Sequence, residues 1–184
     1  VTFAVKVSLA SGEPVLELTT QFGFFPAAAL ARQAGLSDKP HFRDAFELPG
    51  QNVKTKRIEK RLPSGQLRML DRVDYFDAEG GEAGLGLIRG RQVVDPHAWY
   101  FKAHFYQDPV QPGSLGLDAL SQLLARAILL KGMDQGMSSP RFKTIATGAP
   151  FKWSYRGQVT PDKKEVVTVM EITSIEERGN GYLV

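Results

Sequence analysis

Two short segments near the start of the chain, Phe3-Ala4-Val5-Lys6-Val7 and Val15-Leu16-Glu17-Leu18-Thr19, are apolar-rich and partly alternating, with Ser11-Gly12 between them. Alternation at a period of two gives a strand one apolar face, so residues 3 to 7 and 14 to 20 are predicted to pair as a hairpin. Pro26 then leads into a run of helix formers, Ala27 to Ala34, with Gly35 where a C-terminal cap belongs, and this predicts a short helix. Residues 36 to 66 hold Pro40, Pro49, Gly50, Pro63 and Gly65 with no sustained period and are expected to form a long connection. A second strand pair is predicted over residues 67 to 77 and 82 to 94, joined by Ala78-Glu79-Gly80-Gly81. The clearest helix is 113 to 131, where Leu115, Leu117, Ala119, Leu120, Leu123, Leu124, Ala127, Ile128 and Leu130 occupy nearly every face. A helix apolar on almost all sides must be enclosed. From about Arg141 the strand pattern returns, over Phe142 to Tyr155, Val159, and Val166 to Ile175, with Pro161-Asp162 as a turn. Gly181-Tyr182-Leu183-Val184 reads as part of a further strand. One buried helix among antiparallel strands is an α+β arrangement in which a curved sheet wraps the helix.

Composition narrows the class of protein. A chain of 184 residues, 42% hydrophobic and 23% charged, is expected to fold as one globular domain with its own core. The longest apolar region, Leu115 to Leu130, is interrupted by Asp118, Gln122 and Arg126, so no membrane span is expected, and neither is a secretory signal. The absence of cysteine excludes disulfides, thiolate zinc sites and cysteine nucleophiles, and fits a cytoplasmic setting. Three histidines, His41, His97 and His104, leave little for a metal site, and none is expected. A net charge of +3 falls short of the basic clusters of a nucleic-acid binder, so no such partner is expected. The run Lys54, Lys56, Arg57, Lys60 and Arg61 is expected to be a solvated face. In Gly84-Leu85-Gly86-Leu87-Ile88-Arg89-Gly90 the third glycine comes one place too late for a dinucleotide-binding loop, and no helix follows to hold a pyrophosphate.

The segment from Trp99 to Asp118 carries the chemistry. A histidine among aromatics, His104, leads through Pro109, Pro112 and Gly113 into the first turns of the apolar helix, where Asp118 interrupts the apolar surface. The amides of Gly113 and Ser114 at a helix start lack intrahelical partners, and the helix dipole adds positive character there, so an acyl oxygen can be held. A histidine can take a proton, and a carboxyl set beside Leu117 and Leu120 can give one. Together they suit removal of water from adjacent carbons, although spacing alone does not bring the two side chains together.

The run His104-Phe105-Tyr106-Gln107-Asp108-Pro109-Val110-Gln111-Pro112-Gly113-Ser114-Leu115-Gly116-Leu117-Asp118 resembles the active-site motif of the 3-hydroxyacyl-ACP dehydratases, of the 3-hydroxydecanoyl-ACP dehydratase/isomerase type. The variant beginning Lys102-Ala103-His104 is most similar to the dehydratase domains of polyunsaturated fatty acid synthases and related polyketide-type megasynthases. Similarity runs from Met69-Leu70-Asp71-Arg72-Val73 to Gly157-Gln158-Val159 and Pro161, covering roughly residues 66 to 184. The resemblance implies the hot-dog fold, an antiparallel sheet around a central helix. It implies His104 as the base that takes the C2 proton of a 3-hydroxyacyl thioester and Asp118 as the group that helps protonate the departing hydroxyl. Gly113 and Ser114 would bind the thioester carbonyl, and Gln111, Phe105, Pro109, Val110, Leu117 and Gln122 would line the substrate pocket. It further implies that the substrate rides on the phosphopantetheine of an acyl carrier protein, and that no metal or redox cofactor is used. One site takes its two side chains from two hot-dog units, as a homodimer or a tandem pseudo-dimer.

The sequence departs from the stand-alone bacterial pattern at two residues near the site and in one further segment. Ser114 stands where Cys is common and Gln111 where Met is. Asp118 marks the dehydratase/isomerase subtype, since dehydratases without isomerase activity carry Glu there. Residues 171 to 178 are acidic where a basic carrier-docking patch is usual, which shifts the expected docking surface to the Lys54 to Arg61 run or to Arg141, Lys143 and Lys152. Chain ends also carry an expectation: with no initiator Met, residues 1 to 34 are read as the end of a preceding hot-dog unit and 35 to 65 as a linker. Residues 66 to 184 are then a dehydratase unit cut before its closing hairpin, the alternative being that the N-terminal hairpin fills that place. The rival functions are a non-catalytic acyl-binding pseudo-dehydratase and a hot-dog acyl thioesterase.

Overall fold

The structure is a computed structural model that describes residues 1–21, 26, 28, 40–143, 151–155 and 157–184, the side chains of residues 40–43 and 57 excepted. The chain divides into two compact units, Val1–Gly35 and Leu36–Val184. In the first, β1 (Thr2–Ser8) pairs antiparallel with β2 (Pro14–Gln21), with Val5 opposite Leu18 and Val7 opposite Leu16. Gly12 turns the hairpin at a φ of 88°, a left-handed value open to glycine. The pairing puts Phe3, Val5 and Val7 on one face with Leu16 and Leu18, while Lys6 and Glu17 form an ion pair on the other at 2.9 Å. The helix expected over Ala27 to Ala34 lies almost wholly outside the described residues.

The second unit is built on a three-stranded antiparallel sheet of β3 (Arg72–Asp77), β4 (Leu87–Val93) and β5 (Glu165–Glu171), with β4 in the centre. A short helix, α3 (Trp99–Ala103), and the long α4 (Gly113–Leu130) fall between β4 and β5. Two helices precede the sheet, α1 (Pro40–Glu47) and α2 (Lys56–Glu59), and a small hairpin of β6 (Glu176–Arg178) and β7 (Gly181–Leu183) follows it.

Helix α4 packs on the sheet through the stripe Ala119, Leu123 and Ala127, spaced four apart, which is buried with Met69, Leu70, Val73, Ile88 and Ile172. Gly90 sets how closely the two layers approach. A side-chain carbon at position 90 would lie 3.0 Å from Leu123 Cδ1 and 3.1 Å from Leu70 Cδ2, so only a residue without one leaves those leucines in place. This is the sheet-on-helix arrangement expected from the sequence. By length and composition α4 is long and apolar enough to cross a membrane, as the core helices of other folds also are, and here it packs in the core.

The stretch from 36 to 66, expected as a long connection, holds α1 and α2 and is fastened to the core by two buried arginines. Arg89 on β4 donates Nη1 to the carbonyls of Ala45 and Phe46, both at 2.9 Å, which satisfies the C-terminal end of α1. Its Nε donates to Asp74 at 2.8 Å. Arg126 on α4, fully buried, donates to both carboxylate oxygens of Glu59 on α2 and, at 3.2 Å, to the Gln122 carbonyl. Ile58 and Leu62 complete the attachment by packing on Ala125 and Leu129. Asp74 also accepts from Arg91, and Glu165 on β5 bridges Arg91 and Arg72 at 2.6 and 2.7 Å. Burial pushes the carboxyls of Asp74 and Glu165 up, but hydrogen bonds and charge from these arginines outweigh it and hold both below the ordinary carboxylate range.

The remaining expectations are met in part. The turn between β3 and β4 is longer than expected and runs from Ala78 to Gly86, where Gly81, Gly84 and Gly86 take positive φ. Helix α3 was not predicted. Residues 142, 143 and 151 to 155, expected in a strand, have no strand partner among the described residues, and residues 144–150 lie outside the description.

Candidate functional site

Helix α3 is anchored by Tyr100 and Phe101, buried with Val94, and His104 ends it in extended conformation. The chain then doubles back. The His104 carbonyl accepts from the Val110 amide at 2.9 Å, and His104 Nδ1 lies 3.0 Å from the Val110 carbonyl. A carbonyl only accepts, so Nδ1 carries the hydrogen and Nε2 keeps its lone pair. In the neutral imidazole this leaves Nε2 as the acceptor nitrogen. The imidazole, half-buried, is stacked on Phe105 with ring centroids 3.5 Å apart.

Past Val110 the chain enters α4 through buried Gln111, whose amide donates to the Val159 carbonyl at 2.9 Å, and Pro112, the N-cap. The Gly113 and Ser114 amides open the helix without intrahelical acceptors. The ring of Tyr155 lies over Gly113: a side-chain carbon at 113 would overlap its Cε1 and Cζ and lie 2.8 Å from its hydroxyl. The glycine is thus required by packing against Tyr155.

One and a half turns along the helix, half-buried Asp118 is held by Gln122. Gln122 Nε2 donates to Asp118 Oδ2 at 2.7 Å and to the Leu67 carbonyl at 2.7 Å, while its Oε1 accepts from the Met69 amide at 3.0 Å. Leu67 needs a donor and Met69 an acceptor, so the amide has one allowed orientation and always offers Asp118 an N–H. Expected in the substrate pocket, Gln122 is 3% exposed, and both of its amide hydrogens are committed within the chain. Its spacing of four from Asp118 on one helix is the signal that could have identified it as a positioning residue.

Of the other expected site residues, Phe105, Val110, Gln111, Gly113 and Ser114 gather with His104 around the loop and the helix start, together with exposed Pro109. Leu117 is half-buried beside Asp118 on α4. No hydrogen bond joins His104 to Asp118 among the described residues. An open surface hollow of about 600 Å³ has none of these residues in its lining, which includes Arg68, Asp71, His97, Trp99 and Lys102.

The chain thus carries a histidine whose Nδ1 contacts a carbonyl, a helix N-terminus and an aspartate bonded to Gln122, on or just before a helix that packs on an antiparallel sheet. A family model of the FabA-like domain matches residues 62–184, and the chain belongs to that family of hot-dog dehydratase domains. Among curated proteins, a polyunsaturated fatty acid synthase subunit from Thraustochytrium sp. is 34% identical over 183 residues, an alignment covering 86% of this chain. The chain spans 12% of the length of that relative.

Proposed function

We propose that this chain is a dehydratase unit of fatty acid or polyketide biosynthesis that converts 3-hydroxyacyl thioesters, presented on an acyl carrier protein, to 2-enoyl thioesters. The observation that carries this reading is the tautomer of His104. With Nδ1 donating to Val110, Nε2 is the group left to take a proton from C2. The electron pair of the broken C2–H bond forms the C2–C3 double bond, and the C3–O bond breaks with its pair on oxygen. Asp118, held through Oδ2 by Gln122, gives that oxygen a proton from its other carboxyl oxygen, and water leaves. Exchange with solvent returns both groups to their starting states. The Gly113 and Ser114 amides stabilise the negative charge that builds on the thioester oxygen as the proton departs.

In this reading His104 of one hot-dog unit faces Asp118 of a second unit. The segment at 151 to 155 supports it: Phe151, Trp153 and Tyr155, two residues apart and each about half exposed, lie along a stretch with no strand partner among the described residues. Migration of the double bond to the next carbon pair, which the Asp118 subtype suggests, belongs to the same site. The test is turnover of a 3-hydroxyacyl carrier thioester by the chain expressed with whatever flanking sequence its gene carries. The wild type is expected to form the 2-enoyl product, and His104→Ala or Asp118→Ala to lose about 10²- to 10⁴-fold in rate. Undiminished turnover in His104→Ala overturns the proposal, and release of free acid points to a thioesterase instead.

A further inference from the structure

Gln111 is the residue whose chemistry the fold leaves unused. Its side-chain carbonyl, Oε1, is buried without a hydrogen-bond partner, the one such side-chain atom among the described residues. The residue is 8% exposed, and the backbone on either side is fixed: its own amide is bonded to Val159, and the preceding carbonyl, of Val110, orients His104. Leaving a buried acceptor unpaired costs free energy that an apolar side chain of the same size avoids, so a stability argument alone favours a methionine there. A ligand that brings a donor would recover that cost on binding.

Resting on the dehydratase reading, we propose that Gln111 is a specificity-determining residue whose Oε1 accepts a hydrogen bond from the substrate. A 3-hydroxyacyl group has one donor, its 3-hydroxyl, and the pantetheine arm offers amide N–H groups. If the donor is the 3-hydroxyl, Gln111 distinguishes substrate from product, because the hydroxyl that donates is the group the reaction removes. Product release would then leave Oε1 unpaired again and favour exchange for a fresh substrate.

The test uses the full chain in a His104→Ala background, so that ligands bind without turnover, with and without Gln111→Met. Dissociation constants are measured for a 3-hydroxyacyl pantetheine thioester and for the saturated acyl thioester of equal length. Gln111→Met is expected to weaken the hydroxyacyl ligand about five- to tenfold and to leave the saturated one unchanged, while stability stays equal or rises. Equal weakening of both ligands assigns the donor to the pantetheine amides and overturns the specificity role. Unchanged affinity for both, with binding intact, overturns it and leaves the dehydratase reading standing. Failure of either thioester to bind before Gln111 is altered counts against the dehydratase reading, and with it against this proposal.

Discussion

Gln122 is the most exacting place to perturb this structure, because one side chain serves both the fold and the site. In Gln122→Leu the volume is nearly kept and three hydrogen bonds are lost, to the Met69 amide, the Leu67 carbonyl and Asp118. Met69 is 2% exposed, so its amide becomes a buried orphan costing about 1–3 kcal/mol. Leu67 is exposed, and water can replace part of what its carbonyl loses. Greater burial of apolar surface by leucine offsets about 1 kcal/mol, roughly what the lost bonds to Asp118 and Leu67 add, leaving a net loss of about 1–3 kcal/mol. Gln122→Glu separates the two roles. The new carboxyl still accepts from Met69 but meets Asp118 without a donor, and two carboxylates at hydrogen-bonding distance cannot both stay ionised. Their repulsion is full where both are ionised and fades as pH falls and a proton bridges the pair. Urea denaturation at several pH values, each variant compared with the wild type at the same pH, reads both effects provided the m-value is unchanged. A Gln122→Leu variant as stable as the wild type, or a Gln122→Glu penalty that does not shrink on acidification, refutes the assigned network.

Other consequences follow from the same contacts. Gly90→Val places carbon where Leu123 and Leu70 already sit and is expected to cost about 1–3 kcal/mol in denaturant unfolding. Gly113→Ala overlaps the Tyr155 ring and is expected to lower both stability and dehydration rate, with the stability loss relieved in Gly113→Ala/Tyr155→Ala; equal losses in the two backgrounds would show that the ring is not there. The Glu59–Arg126 pair is expected to be asymmetric. Glu59→Ala strands a fully buried guanidinium and costs about 3–5 kcal/mol, whereas Arg126→Met leaves a carboxylate that is 32% exposed and costs less, which paired unfolding curves would show. Asp74 and Glu165 have folded-state titrations depressed by their arginines, so their stabilisation is present above the ordinary carboxylate values and is lost as pH falls through the depressed ones; Asp74→Asn is expected to flatten that acid limb of the stability–pH curve.

Sequence pattern revealed the parts of this molecule that repeat. The β1–β2 hairpin and α4 were legible because alternation in one and apolar positions on almost every face of the other persist over many residues. The run from His104 to Asp118 stood out as candidate chemistry through its resemblance to the dehydratase motif, because the histidine, the Pro-Gly helix start and the aspartate each have an ordinary structural explanation taken singly. What escaped detection depends on contacts between residues far apart. Helices α1 and α2 are too short for periodicity to register, and they are held by Arg89 and Arg126, whose partners lie 44 and 67 residues away. Gln122 escaped for a different reason. Its spacing from Asp118 was visible, but the Leu67 carbonyl and the Met69 amide that fix its orientation come from a distant part of the chain. Gly90 looked like one glycine of a rejected motif, and its role appears only when Leu123 and Leu70 are seen on either side of it.

The role of His104 Nε2 can be tested in the reverse direction, by following hydration of a 2-enoyl carrier thioester in deuterated water. The wild-type chain, with its native flanking sequence, is expected to form the 3-hydroxyacyl product with deuterium at C2, and His104→Gln to lose both hydration and label by about 10²-fold or more. Hydration and C2 labelling at the wild-type rate in His104→Gln would contradict the proposed mechanism.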